Sequence, residues 1–136
     1  MIPNSLSVEI VTPTGIKEKH QVGYVRAPGL DGLFGVMPGH VSSIIALDIG
    51  ELSIQQSGER EFWATRGGYA EIHPDRVVLI VESAERSSNI DVERANSAAE
   101  RAKNRLEKKK QEQIDEARAK AALNRALNRL SVAKRS

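Results

Sequence analysis

The chain contains no cysteine, which excludes a disulfide framework and a thiolate metal site and fits a reducing compartment. No apolar run approaches the roughly twenty residues needed to span a bilayer. Met1–Val11 has neither the basic start nor the long apolar core of a signal peptide, so a soluble or peripheral protein is expected. There is no GxxxxGK[ST] phosphate loop and no GxSxG nucleophile elbow. Gly29, Gly32 and Gly35 lack GxGxxG spacing and are followed by no helix, so they read as turns. His20, His40 and His73 stand too far apart for helical metal spacing. No catalytic set and no metal site emerges.

What the chain does have is unevenly distributed. All five aromatics (Tyr24, Phe34, Phe62, Trp63, Tyr69) precede residue 70, and Pro74 is the last proline or glycine. Charge divides in the same place. Residues 1–90 hold eleven acids and seven bases, a net of −4, and residues 91–136 hold thirteen bases and seven acids, a net of +6. A basic tail on an acidic body suggests an anionic partner for the tail. With 136 residues there is room for one ordinary domain, or a small domain with an appendage.

The first part reads as short strands separated by turns. Leu6, Val8 and Ile10 alternate with Ser7 and Glu9, and Thr12-Pro13-Thr14-Gly15 is a turn. An extended run from Ile16 to Ala27 places Val22, Tyr24 and Arg26 on one face, with Gly23 as a bulge, and Pro28–Gly32 breaks it. Leu33–Met37 is short and apolar, Pro38-Gly39-His40 turns, and Val41–Leu47 reads as a buried strand. Leu52 and Ile54 alternate within Glu51–Gln56, and Ser57-Gly58-Glu59-Arg60 is a hairpin turn. Phe62 and Ala64 then oppose Trp63 and Thr65, Gly67-Gly68 ends or kinks the strand, and Tyr69–His73 forms another. After the turn at Pro74, Arg76–Glu82 carries an almost unbroken apolar run, Val77–Val81. Turns about every ten residues predict a β-sandwich or flattened barrel over residues 1–86, which holds the core.

Residues 87–136 predict an antiparallel two-helix hairpin. Asp91 is placed to cap the first helix, with Ile90 and Ala95 as a weak hydrophobic staple. Arg94 then falls at N3, where a cation opposes the helix dipole, and Glu93 offsets part of that cost. Val92, Ala95, Ala99, Ala102 and Leu106 share one face, and Lys108-Lys109-Lys110 ends the helix. The second helix runs from about Gln113 to Leu130 with Ile114, Ala117, Ala121, Leu123, Leu127 and Leu130 inward, after a bend near 108–112. An alanine seam buries little area, so the hairpin is expected to be only conditionally stable.

Several motifs recur in order: Val11-Thr12-Pro13-Thr14-Gly15, Gly35-Val36-Met37-Pro38-Gly39-His40, Gly67-Gly68-Tyr69, Ala84-Glu85-Arg86 and Asn128-Arg129-Leu130-Ser131-Val132-Ala133. Together they resemble the epsilon subunit of bacterial F-type ATP synthase over nearly the whole chain. Where that family usually has a proline two residues after the histidine, this chain has Val41-Ser42-Ser43. The resemblance implies a non-catalytic central-stalk subunit, peripheral to the cell membrane on its cytoplasmic side. Its sandwich would bind the gamma subunit and the c-subunit rotor ring, with Met37, Pro38 and His40 as contact residues. Its helices would either fold down or extend into the alpha/beta catalytic head and inhibit ATP hydrolysis.

Ile90-Asp91-Val92-Glu93-Arg94-Ala95 also matches the [IL]-D-x-x-R-A pattern of the nucleotide-sensing version of the family. By that resemblance Glu85, Ile90, Asp91 and Ala95 would hold the adenine end of ATP. Arg94, Arg101, Arg125 and Arg129 would hold its phosphates, and ATP would act as a regulatory ligand and not a catalytic cofactor, with or without magnesium. The spacing of the arginines agrees. Arg94 and Arg101 lie two turns apart on one face, Arg125 and Arg129 one turn apart on another. A bend near residue 110 brings Arg94 level with Arg125, and converging guanidiniums repel unless a polyanion lies among them. Two other readings stand beside this one: the same subunit without nucleotide sensing, and a basic adaptor for nucleic acid. The adaptor is disfavoured by seven acids among the helical bases and by the lack of stacking aromatics there.

Overall fold

The computed structural model describes residues 3–107 and 116–135. The chain divides into two compact units, Met1–Arg86 and Ser87–Ser136, and each is described on its own.

The first unit is an eight-stranded β-sandwich: β1 (Leu6–Thr12), β2 (Gly15–Val22), β3 (Tyr24–Gly29), β4 (Gly32–Val36), β5 (Ser43–Leu47), β6 (Gly50–Gln56), β7 (Glu59–Ile72) and β8 (Arg76–Arg86). The hydrogen-bonded path runs β2-β1-β8-β7-β5-β3-β4, and β6 bridges β3 and β7. All pairings are antiparallel except β1 with β8. Leu6, Val8 and Ile10 are buried with Val22, Val25, Leu52, Ile54, Ile72, Val77 and Leu79 in one core. The alternation read from the sequence in β1 and in Leu52/Ile54 is therefore the inward face of the sandwich.

β7 is the longest strand, at 14 residues. Residues 59–65 pair with β6, residues 68–72 pair with β5, and residues 63–72 pair with β8. The glycine pair neither ends this strand nor separates it from a second one. A Cβ on Gly68 would lie 1.9 Å from the Ile80 carbonyl oxygen and one on Gly67 would lie 3.1 Å from that of Leu47. The pair admits close backbone approach where the strand passes from one neighbour to the other. The turn before it, Ser57-Gly58, has positive φ at both positions (51° and 80°), the type I′ geometry that matches strand twist.

Four strand expectations are revised. The run from Ile16 to Ala27 is two strands, because Gln21 takes φ 57° and the β1–β2 register slips between Leu6 and Val8. The bulge thus lies before Gly23, whose N–H donates to Gln55 O, and Val25 and Ala27 turn inward while Tyr24 and Arg26 are half-buried. Pro28 and Gly29 remain inside β3, and the chain turns at Leu30-Asp31. Val41–Leu47 is no buried strand: β5 starts at Ser43, and Val41 and Ile44 are 73% and 74% exposed. β8 continues to Arg86, and its apolar run alternates, with Ile80 48% exposed between buried Leu79 and Val81.

The second unit has a 3-10 turn (Ser87–Asn89) and two helices, α1 (Val92–Glu107) and α2 (Glu116–Ala133), packed on each other. α1 buries Ala95, Ala99 and Ala102, the face expected, whereas Val92 stays exposed. α2 buries Ala119, Ala126 and Val132. Ala117 and Leu127, expected inward, are exposed. The seam is rotated because alanine, tolerated on either face, fixes helical phase poorly. The expected bend near 108–112, the lysine triplet, and Gln113 and Ile114 at the start of the second helix lie outside the described residues.

Candidate functional site: the α1–α2 cleft

Asp91 Oδ1 accepts the Arg94 backbone N–H at 3.1 Å, so Asp91 is the N-cap and Arg94 occupies N3 as read from the sequence. Ile90 and Ala95 are both buried. From this fixed start, Ser97 and Ala98 each lie three or four residues from both Arg94 and Arg101, along one helix face. That face borders the buried alanine face and lines a cleft of about 460 Å³ together with Glu93 and, from α2, Arg129.

Three of the four arginines assigned to the phosphates therefore border one cavity. The fourth does not. Arg125 is half-buried but lies outside this lining. Relative to buried Ala126, a helix of 3.6 residues per turn carries Arg125 farther round from the seam than Arg129. Arg129, not Arg125, borders the same cleft as Arg94 and Arg101. Arg94 and Arg101 have no carboxylate within ion-pair distance among the described residues, and Arg129 already engages another group in the chain. The residues assigned to the adenine end are occupied with structure. Asp91 caps α1, Ile90 and Ala95 are buried, and Glu85 is a half-buried residue of β8 opposite Ala64. Sequence reasoning missed Ser97 and Ala98. Their three- and four-residue offsets from Arg94 and Arg101 were the available signal.

The sandwich carries a second candidate surface. Strand register places Ile16 opposite Val11, Val11 beside Ile80, Ile80 opposite Tyr69, and Tyr69 opposite Ala46. Leu30 N–H donates to Ala46 O and extends the row. Ile16, Ile80, Tyr69 and Leu30 are 59%, 48%, 59% and 62% exposed. A continuous apolar row on the outer face of a sheet, where polar residues are normal, marks an interaction surface. At the β4–β5 turn, Met37 is 62% exposed, while Pro38 and His40 are half-buried. The loop is held by Gly39 N–H to Pro74 O (2.7 Å) and by a 2.7 Å contact between His40 Nδ1 and Val41 O. His40 thus bonds its own loop and Met37 projects from it.

Residues 5–87 match the family described as ATP synthase delta/epsilon chain, beta-sandwich domain, and residues 88–134 match its long alpha-helix domain. The ATP synthase epsilon chain of Nitratidesulfovibrio vulgaris strain DP4 is 46% identical over 102 residues, which cover 75% of this chain and 76% of that one. The epsilon chain of Anoxybacillus flavithermus is 43% identical over 105 residues, 77% and 78% of the two chains. Among solved structures, a chain of the Euglena gracilis mitochondrial ATP synthase, in an OSCP, F1 and c-ring assembly, shares the fold with TM-score 0.77 at 22% identity, covering 91% of this chain and 78% of that chain. With both halves matched in order and the sandwich and helices both in place, the chain belongs to the ATP synthase delta/epsilon family as an epsilon subunit of the central stalk.

Proposed function

We propose that this epsilon subunit is a non-catalytic rotor element on the cytoplasmic side of the cell membrane, whose helices restrain ATP hydrolysis and whose hairpin is held closed by ATP. The observation that carries the proposal is the convergence of Arg94, Arg101 and Arg129 on one cleft. Guanidiniums gathered beside a thin alanine seam repel one another less when a polyanion lies among them. A ligand that binds only the closed form stabilises it by about 1.4 kcal/mol at ten times its Kd, enough to tip a marginal helix pair. In this reading Glu85, Ile90, Asp91 and Ala95 serve the adenine end, and Arg94 and Arg101 on α1 with Arg129 on α2 serve the phosphates, Arg125 standing off the cleft. Once the hairpin opens, the same basic faces meet the alpha/beta head.

The apolar row through Tyr69 and Ile80 is proposed as the gamma-subunit contact, and the turn carrying Met37, Pro38 and His40 as the contact to the c-ring. The exposure of the row on an otherwise well-packed sandwich supports this reading.

Calorimetry of the full chain with ATP tests the nucleotide site. Arg94→Ala and Arg101→Ala should each weaken binding about tenfold or more, by loss of a charge-assisted contact. Arg125→Ala should act less, since it lies off the cleft. No binding at millimolar ATP would favour the second reading, a stalk subunit whose helices act without a nucleotide. The burial of Ile90 and Ala95, which leaves little surface for a base, is the observation in that reading's favour.

A further inference from the structure

β8 is held unevenly along its length. Val77–Ile80 are paired on both sides, with β1 and with β7. Ser83–Arg86 pair with Trp63–Arg66 of β7 and, among the described residues, with no other strand. This outer arm has no fully buried side chain, only Ala84 packed partly against the core, whereas Val77, Leu79 and Val81 belong to that core. An edge segment held on one side, with little burial of its own, belongs to the low-stability end of a fold. Its last residue, Arg86, is also the last of the sandwich unit, and the helical unit starts at Ser87.

One carboxylate holds the end of this arm. Glu61 stands two residues before Trp63 on β7, and Trp63 is the cross-strand partner of Arg86. Glu61 Oε1 accepts the Trp63 indole N–H at 2.7 Å, and Oε2 lies 2.9 Å from Lys19 Nζ on β2 and 3.6 Å from Arg86 Nη2. Two donors from β2 and β7 therefore fix the carboxylate in place, and its third partner is the end of the arm. A charge already held and mostly out of water loses little freedom when Arg86 joins it, unlike an ordinary surface pair. The Arg66–Glu82 pair at the base of the arm, 3.5 Å apart, is well exposed at both ends and contributes less.

We infer that Glu61 is a latch that sets where β8 ends, and so where the chain leading into the helices is free to bend. With Arg86 on Glu61 the strand runs to its last residue, and the free segment begins at Ser87. With the pair broken, the arm frays back to Val81, whose side chain is core, and five residues, Glu82–Arg86, pass to the linker. At about 3.3 Å per extended residue the linker then gains about 17 Å of reach. The latch lies wholly within the sandwich unit and stands whether or not the helices bind a nucleotide.

Amide hydrogen exchange of the full chain tests it. Arg86→Gln leaves Glu61 with Lys19 and Trp63, so the body of the sandwich stays intact. Exchange over Ser83–Arg86 should rise about tenfold, while Val77–Val81 stays within about twofold of wild type. Arg86→Lys should restore most of the protection. Glu61→Gln, which removes the charge itself, should open the same segment at least as far. Unchanged exchange over Ser83–Arg86 in both Gln variants overturns the latch. A rise spread evenly over all of β8 in Arg86→Gln overturns it too, since the pair would then stabilise the sandwich as a whole and not its end.

Discussion

At the scale of single residues, two polar groups carry more than their size suggests. Asp91 supplies the only side-chain cap of α1 among the described residues. Asp91→Ala should cost about 1 kcal/mol of helix stability, measured as a lower melting midpoint of the helical circular-dichroism signal. Glu61 lies beneath the sandwich surface with its side chain 15% exposed. It accepts the Trp63 indole N–H at 2.7 Å and pairs with Lys19 at 2.9 Å and Arg86 at 3.6 Å. Three donors from β2, β7 and β8 therefore depend on one carboxylate. Glu61→Ala strips them together and should cost about 2 kcal/mol in urea denaturation, with a changed Trp63 emission in the native state. An unchanged midpoint would mean that water replaces the carboxylate at no cost.

At the scale of elements, β7 is the piece on which the sandwich depends, since it pairs with β5, β6 and β8. Gly68→Ala places a methyl group against the Ile80 carbonyl, where only backbone displacement relieves the clash. It should destabilise the sandwich by about 3 kcal/mol, and Gly58→Ala, with open space at its Cβ but φ 80°, by about 1 kcal/mol. The comparison is made by denaturant midpoints, and equal effects would contradict the close approach at residue 68. The helices present the opposite case. Their seam is alanine, the described interface buries no side chain larger than Val132, and their pairing is correspondingly easy to bias with a ligand.

At the scale of the whole molecule, the chain joins a well-packed sandwich to a lightly packed, basic helix pair. The exposed members of the outward row, Ile16, Ile80 and Tyr69, contribute little to the sandwich's own stability, because their side chains already face solvent. Tyr69→Asp should accordingly shift the melting midpoint only slightly and weaken association with the gamma subunit by roughly a hundredfold. Pull-down or surface binding against purified gamma subunit checks this. Wild-type affinity in the variant would move the contact to another face.

Much of this architecture is legible from local rules. The alternation at Leu6, Val8 and Ile10, the Ser57-Gly58 turn and the Asp91 cap with Arg94 at N3 each depend on residues a few positions apart, so sequence alone determines them. The disappearance of glycine, proline and aromatics after Pro74 likewise sets sandwich against helices. What needed the tertiary structure are relations between distant segments. A continuous apolar run in β8 looks buried until β1 and β7 are in register beside it and Ile80 is seen to face out. The glycine pair looks like a strand end until β5 and β8 press on it. Helical spacing grouped Arg125 with Arg129, yet only the rotation of α2 against α1 left Arg125 outside the cleft and brought in Ser97, because an alanine seam is too uniform for the sequence to dictate which face meets its partner.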